Sequence, residues 1–250
     1  MTKSTTVLPG QQGGIGKPMF GAKSTPVDKM KKTILLIGSQ KGGVGKTTLA
    51  VSLAIWRKRL GRDVRIVDCD PQRNASKWGE RRATIDGIDV RVPCGGAFGA
   101  AVHDEITELF SKYDDLIVDI PGHNSNELLS AMRVAHRFIS PVQASQFDLD
   151  TMAEVDSLVD MMLATNPSMD AVWFLNKAST SPNIRSREII DSREIMRDIK
   201  HLRPIDSYLS SRTCFSLVSR GLSVDETPAS PSRDKGIAEF NRLAAELWSW

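Results

Sequence analysis

Nine consecutive residues concentrate the chemistry of this chain: Gln40-Lys41-Gly42-Gly43-Val44-Gly45-Lys46-Thr47-Thr48. Their glycines let successive backbone N–H groups turn toward one anion without Cβ clashes. Lys46 adds a cation and Thr47 a hydroxyl able to ligate Mg²⁺, a combination suited to the β- and γ-phosphates of a nucleoside triphosphate. Gly42, Gly43, Val44, Gly45, Lys46, Thr47 and Thr48 are therefore expected to hold the nucleotide, with Thr48 reaching the α-phosphate. A carboxylate comes later, where the apolar run Leu116-Ile117-Val118 ends in Asp119. That placement suits the shell of a phosphate-bound magnesium ion.

Such a loop works only between a strand and a helix. Thr33-Ile34-Leu35-Leu36-Ile37 is a continuous apolar run, as in a strand buried on both faces. A helix from about Lys46 to Leu60 follows, stopped by Gly61. Further strands are expected at 64–67, 89–92, 116–118, 138–142 and 171–175, with helices near 75–83, 101–110, 126–134 and 149–164. The pattern continues with a helix over 186–200, an extended segment at 205–209 and a last helix over 236–248. Strands alternating with helices predict a single three-layer α/β domain of the P-loop NTPase type, spanning 31–250. Its mostly parallel sheet would carry helices on both faces and ligands at the strands' carboxyl ends. Residues 1–30, rich in Gly, Pro, Ser, Thr and Lys without apolar periodicity, read as a flexible tail. Within them Gly13-Gly14-Ile15-Gly16-Lys17-Pro18 imitates a phosphate loop, but no strand precedes it and Pro18 replaces the needed Ser or Thr.

The principal loop departs from the common GxxxxGK[ST] pattern, because Gln40 replaces the first glycine and Lys41 adds a second lysine. Here the sequence resembles the deviant Walker A group of ParA/MinD ATPases, whose loop reads KGGxGK[ST]. The resemblance covers roughly residues 32–248. Val67-Asp68-Cys69-Asp70-Pro71-Gln72 is similar to the group's DxDPQ segment, which implies that Asp70 positions the attacking water and that Asp68 supports the magnesium site. Ile120-Pro121-Gly122-His123 resembles its switch loop, so a backbone N–H at Gly122 would sense the γ-phosphate; His123 reads as an exposed loop residue. Pro141-Val142-Gln143-Ala144-Ser145-Gln146-Phe147-Asp148 resembles its PVxPSxFD segment, with Ala144 where proline is usual. Asn176 stands where the group often places an asparagine against adenine, although a strand-end turn explains it equally well. The resemblance also implies that Lys41 crosses a dimer interface to the partner's phosphates. Lys41, Lys46 and Asp70 would then be the catalytic residues, and Thr47, Asp68 and Asp119 the magnesium residues, with ATP and Mg²⁺ as cofactors.

Composition narrows the setting. At 40% hydrophobic and 25% charged residues, the chain can build a soluble core. Three cysteines without a CxxC pair suit a reducing cytoplasm and argue against a disulfide framework or a zinc site. No apolar run approaches a membrane span, and the final apolar residues are expected to pack on the sheet rather than on a membrane surface. From Lys177 to Arg220 there are nine Lys/Arg against five Asp/Glu, a positive excess. Arg193, Arg197 and Lys200 recur at i, i+4 and i+7 on the expected helix, and Arg212 and Arg220 follow in a region resembling the group's DNA-contacting segment. These five are expected to meet DNA phosphates without reading sequence. The resemblance implies a cytoplasmic, nucleoid-associated homodimer formed on ATP, whose hydrolysis is stimulated by a ParB-like or other cargo adaptor. A MinD-like membrane-associated ATPase and a metabolic P-loop ATPase are the competing readings.

Overall fold

The computed structural model describes residues 31–122, 125–145 and 150–249. The expected tail with its imitation loop, His123, and Gln146-Phe147-Asp148 lie outside the described residues. Among the described residues seven strands form one sheet: β1 (Thr33–Ser39), β2 (Val64–Asp68), β3 (Cys94–Gly96), β4 (Asp115–Gly122), β5 (Arg137–Val142), β6 (Asp170–Leu175) and β7 (Arg203–Pro204). The helices among the described residues are α1 (Lys46–Arg59), α2 (Asn74–Ala83), α3 (Val102–Lys112), α4 (Asn126–Met132), α5 (Met152–Leu163), α6 (Pro182–Ile195), α7 (Thr213–Leu217) and α8 (Pro231–Leu247).

The strand order is β3-β2-β4-β1-β5-β6-β7, and every pairing is parallel. The sheet is thus wholly parallel, and β1 lies centrally between β4 and β5. Connections run to opposite sides of β1, which opens a crevice at its carboxyl end. Side chains alternate across the strand. Ile34 and Leu36 join a core with α3, α4 and α5, while Leu35 and Ile37 join one with α1, α2 and α8. The expected three layers follow from this alternation. Residues Phe240, Leu243, Ala244 and Leu247 of α8 are buried in the second core, so the helix packs inward as expected.

Several boundaries differ from the expectations. Asp89–Val92 alternates like a strand but forms none. The Val90 carbonyl accepts from Arg82 Nε at 2.8 Å, and Pro93 has no N–H, so pairing with β2 begins at Cys94. The expected extension at 205–209 is not a strand: β7 comes before it, and the segment keeps only separate bonds from Ile205 N to the Trp173 carbonyl and from Leu209 N to the Leu175 carbonyl. α8 starts at Pro231, capped by the Ser230 hydroxyl, rather than at Gly236. Gly236 instead lies where α8 meets α7: a Cβ there would fall 2.6 Å from Cys214 Sγ. Finally, α6 ends at Ile195. Met196 is buried at the start of a 3₁₀ turn, and the Asp156 carboxylate on α5 takes the backbone N–H groups of Lys200 and His201.

Candidate functional site

β1 delivers the loop into the crevice, and α1 begins behind it. Gly43 and Gly45 have φ of 76° and 97°, left-handed values that glycine adopts without strain. Gly45 caps α1, so the helix's unsatisfied N–H groups face the loop. The loop is clasped from both sides. On the β6 side, Asn176 Nδ2 donates to the Val44 carbonyl at 2.6 Å and Lys177 Nζ to the Gly43 carbonyl at 2.5 Å. On the β4 side, a Cβ on Gly122 would fall 2.8 Å from the Lys41 carbonyl carbon, so only glycine permits this approach.

Lys46 is buried beneath the loop. Its ammonium donates to the Lys41 carbonyl at 2.9 Å and to Ser39 Oγ at 3.1 Å. Burial holds its pKa below the ordinary lysine value, against the opposing pull of Asp119 and Asp70. Thr47 Oγ1 donates to Asp119 Oδ2 at 2.7 Å. Burial pushes Asp119 up to about 7; the Thr47 bond and Lys46 oppose this, and Asp68 and Asp70 add to it. Its second oxygen, Oδ1, is buried without a hydrogen-bond partner among the described residues. A hydroxyl joined to a carboxylate that has one unsatisfied buried oxygen is a donor set that suits a hydrated divalent cation.

Asp68 and Asp70 divide their work in a way the sequence did not suggest. The expectation that Asp68 supports a metal meets a carboxylate already engaged. Its Oδ2 accepts from Ser76 N and Ser76 Oγ at 2.7 and 2.9 Å, and its Oδ1 from Asp70 N at 3.2 Å. Asp68 therefore holds the following loop against α2. Asp70, half-buried on that loop, lines the crevice and accepts from Gln72 N at 2.8 Å.

The crevice is a cleft of about 600 Å³. Gly42, Gly43, Gly45, Lys46, Thr47, Thr48, Asp70, Gly122 and Asn176 all line it. Val44 is buried beneath and contributes the carbonyl held by Asn176. Asn176 thus latches the loop backbone, with its Oδ1 accepting from Lys177 N at 3.0 Å. Ser39 and Lys177 were missed, since no spacing rule marks a hydroxyl under a lysine or a clasp from a distant strand.

The five residues expected on DNA do not form one surface. Arg193 lies on α6, Arg197 in the 3₁₀ turn and Lys200 beyond it, so the helical stripe is broken. Arg193 pairs with Asp206 at 2.6 Å, and Arg197 stands 3.9 Å from Asp198. Arg212 is a clear correction: its side chain is 8% exposed, grips Glu239 at 2.7 Å and lines the cleft beside Phe215. Arg220 alone of the later pair is exposed.

The family pattern described as the CobQ/CobB/MinD/ParA nucleotide binding domain matches residues 35–247. The chain belongs to this family. Among curated CobQ/CobB/MinD/ParA relatives, the chromosome-partitioning ATPase Soj of Thermus thermophilus is 32% identical over 56% of this chain and 67% of its own. The chromosome partitioning protein ParA of Myxococcus xanthus is 24% identical over 86% of this chain and 87% of its own. Among solved structures, the septum site-determining protein MinD with Mg-ADP from Pyrococcus horikoshii superposes with a TM-score of 0.63 at 20% identity, covering 87% of this chain and 96% of that one. An ATP complex of a substituted McdA from Cyanothece gives 0.64 at 14% identity, with 87% and 96% covered. These likenesses confirm the P-loop α/β fold. Among the described residues no helix is long and apolar enough to cross a membrane.

Proposed function

We propose that this chain is a ParA-like ATPase that dimerises on ATP, binds DNA without sequence preference and positions a cargo, with hydrolysis stimulated by an adaptor protein. The observation that carries the reading is the division between the two loop lysines. Lys46 is buried inside the cleft, whereas Lys41 gives Lys46 its carbonyl and, half-buried, is not part of the cleft lining. A loop cation that does not line its own cleft suits the nucleotide of a second subunit. There it offsets the repulsion of two facing polyphosphates and the charge spreading over the transferring group.

Within one subunit, the N–H groups of Gly42–Gly45 and the start of α1 take the phosphates. Lys46 neutralises the β–γ region, and Thr48 serves the α-phosphate. Asp70, steadied by Asp68, orients the water, and the Gly122 backbone touches the loop that holds the γ-phosphate. Thr47 and Asp119 fit Mg²⁺, which when bound supplies charge neutralisation between the β- and γ-phosphates. Relatives named for chromosome partitioning and for carboxysome distribution support a positioning role and leave the cargo open. The setting is the cytoplasm, at the nucleoid. The buried apolar face of α8 supports this reading over the membrane-surface one.

The test is Lys41→Ala studied by size-exclusion light scattering and a fluorescent ATP analogue. The variant should keep nucleotide affinity while losing the ATP-dependent dimer and most phosphate release. A persisting ATP-dependent dimer would refute the role of Lys41.

A further inference from the structure

Basic charge without a carboxylate partner also gathers on α2. On α2, Arg73, Lys77 and Arg81 stand at i, i+4 and i+8, and all three are exposed. That spacing aligns them along one helix face. Arg73 is the α2 N-cap and holds left-handed backbone at φ 54°, which turns the chain from the Asp70 loop into the helix. The Arg81 guanidinium donates to the Ser219 carbonyl at 2.9 Å. Gly221 packs so closely on α2 that a Cβ would fall 2.9 Å from Arg82 N. Exposed Arg220 lies between those two contacts and therefore borders the α2 face.

Among the described residues, Arg73, Lys77, Arg81 and Arg220 form no ion pair with a carboxylate, unlike Arg193, Arg197 and Arg212. Glu80 is the one acidic residue exposed on α2. The nearby Asp225 and Glu226 are taken by Arg59 and Arg82. The surface also reaches the cleft, since Gln72 and Asn74 line it from one segment and Ser216 from the other.

We infer that Arg73, Lys77, Arg81 and Arg220 form the surface that meets the phosphate backbone of DNA, an inference that rests on the DNA-binding reading above. Four cations without a carboxylate partner, with the helix's apolar side packed in the core, offer sequence-independent phosphate contact. Each contact made this way releases counterions and leaves a mark in the salt dependence of binding.

The test is fluorescence anisotropy on random-sequence duplex DNA with ATP present, between 50 and 200 mM salt. The variant Arg73→Ala/Lys77→Ala/Arg220→Ala should lower the slope of log affinity against log salt by about 2.7, at roughly 0.9 per contact. Across that salt range the wild type should then lose about 40-fold more affinity than the variant. The variant Arg193→Ala/Arg197→Ala/Lys200→Ala should keep the wild-type slope, as should the charge-preserving Arg73→Lys/Arg220→Lys. An unchanged slope in the first variant, or a reduced slope in either of the others, overturns the inference. Wild-type protein that dimerises on ATP yet binds no DNA overturns the reading beneath it, and the inference with it. ATP-analogue affinity, measured alongside, should be equal in all variants; its loss together with DNA binding in the first variant would mark a structural role for these residues and overturn the inference.

Discussion

Replacing Gly122 by alanine tests whether β4 sets the phosphate loop by direct backbone contact. A Cβ at this position would stand 2.8 Å from the Lys41 carbonyl carbon and oxygen and 2.9 Å from Gly42 N. Comfortable contact between nonbonded carbons begins near about 3.5 Å, so one side must yield by roughly 0.7 Å. No flexible side chain can swing away, because all three atoms are backbone. β4 is held in register between β1 and β2, so the loop is the softer partner. Lys46 hangs from the same Lys41 carbonyl at 2.9 Å, and the displacement therefore reaches its ammonium. Overpacking of this kind costs about 1–3 kcal/mol, or roughly 2–10 °C in melting temperature for a chain of this size. If a misplacement of about 1 Å costs on the order of a hundredfold in rate, one of roughly 0.7 Å costs about 25-fold. Thermal melts and steady-state phosphate release measure the two effects. Gly42→Ala is the stability control: nothing lies within 4 Å of its Cβ position, so its melting temperature should stay at the wild-type value. Wild-type melting and turnover in Gly122→Ala would show that the contact positions nothing.

Three further outcomes are expected. Asn176→Ala removes the donor to the Val44 carbonyl and should weaken ATP binding about tenfold, the worth of roughly 1.4 kcal/mol; equal affinity by calorimetry would remove the latch from the account. Arg212→Ala leaves Glu239 buried without its cation, although Ser210 N and Ser210 Oγ still donate to it. Urea unfolding should show a loss toward the lower end of about 3–5 kcal/mol, and a loss of DNA affinity with full stability would restore Arg212 to the DNA surface. Burial lifts Asp119 to about 7, so its contribution to stability is complete below the unfolded carboxylate pKa of about 4 and is lost as pH rises through about 7, on the order of 4 kcal/mol. Urea titrations of nucleotide-free protein should therefore fall less steeply with pH for Asp119→Asn than for wild type, and parallel curves would contradict the assignment.

The central parts of this site were legible because they are local. A strand, a glycine loop and a helix follow one another in the sequence, and backbone conformation alone places Gly43, Gly45, Lys46 and Thr47. Asp119 was legible for a related reason, since the buried strand that carries it can end only at the crevice. What escaped was decided by partners distant in sequence. Asn176 and Lys177 are opposite the loop through a contact spanning more than a hundred residues. Asp68 looks like a metal residue in sequence, yet Ser76 on the next helix consumes one of its oxygens. The strand expected at 89–92 failed for the same reason: its alternation was real, but Arg82 had claimed the carbonyl it needed.

Charge shows the limit most clearly. Periodicity can count cations along a helix, but a cation contributes to a surface only to the extent that no carboxylate neutralises it, and neutralisation is a three-dimensional property. On that criterion Arg193 and Arg197 lose their claim and α2 gains one. The anchoring of α2 gives the change a structural consequence. At its first turn, Asp68 accepts from Ser76 and from the backbone of Asp70. At its last, the buried Arg82 donates to the Gly221 carbonyl and to Glu226, while Trp78 Nε1 donates to the Leu222 carbonyl. Held at both ends, α2 joins the loop bearing Asp70 to the segment bearing Arg220. The residue proposed to orient the water and the cations proposed to meet DNA therefore stand on one rigid support, which lies along the rim of the cleft.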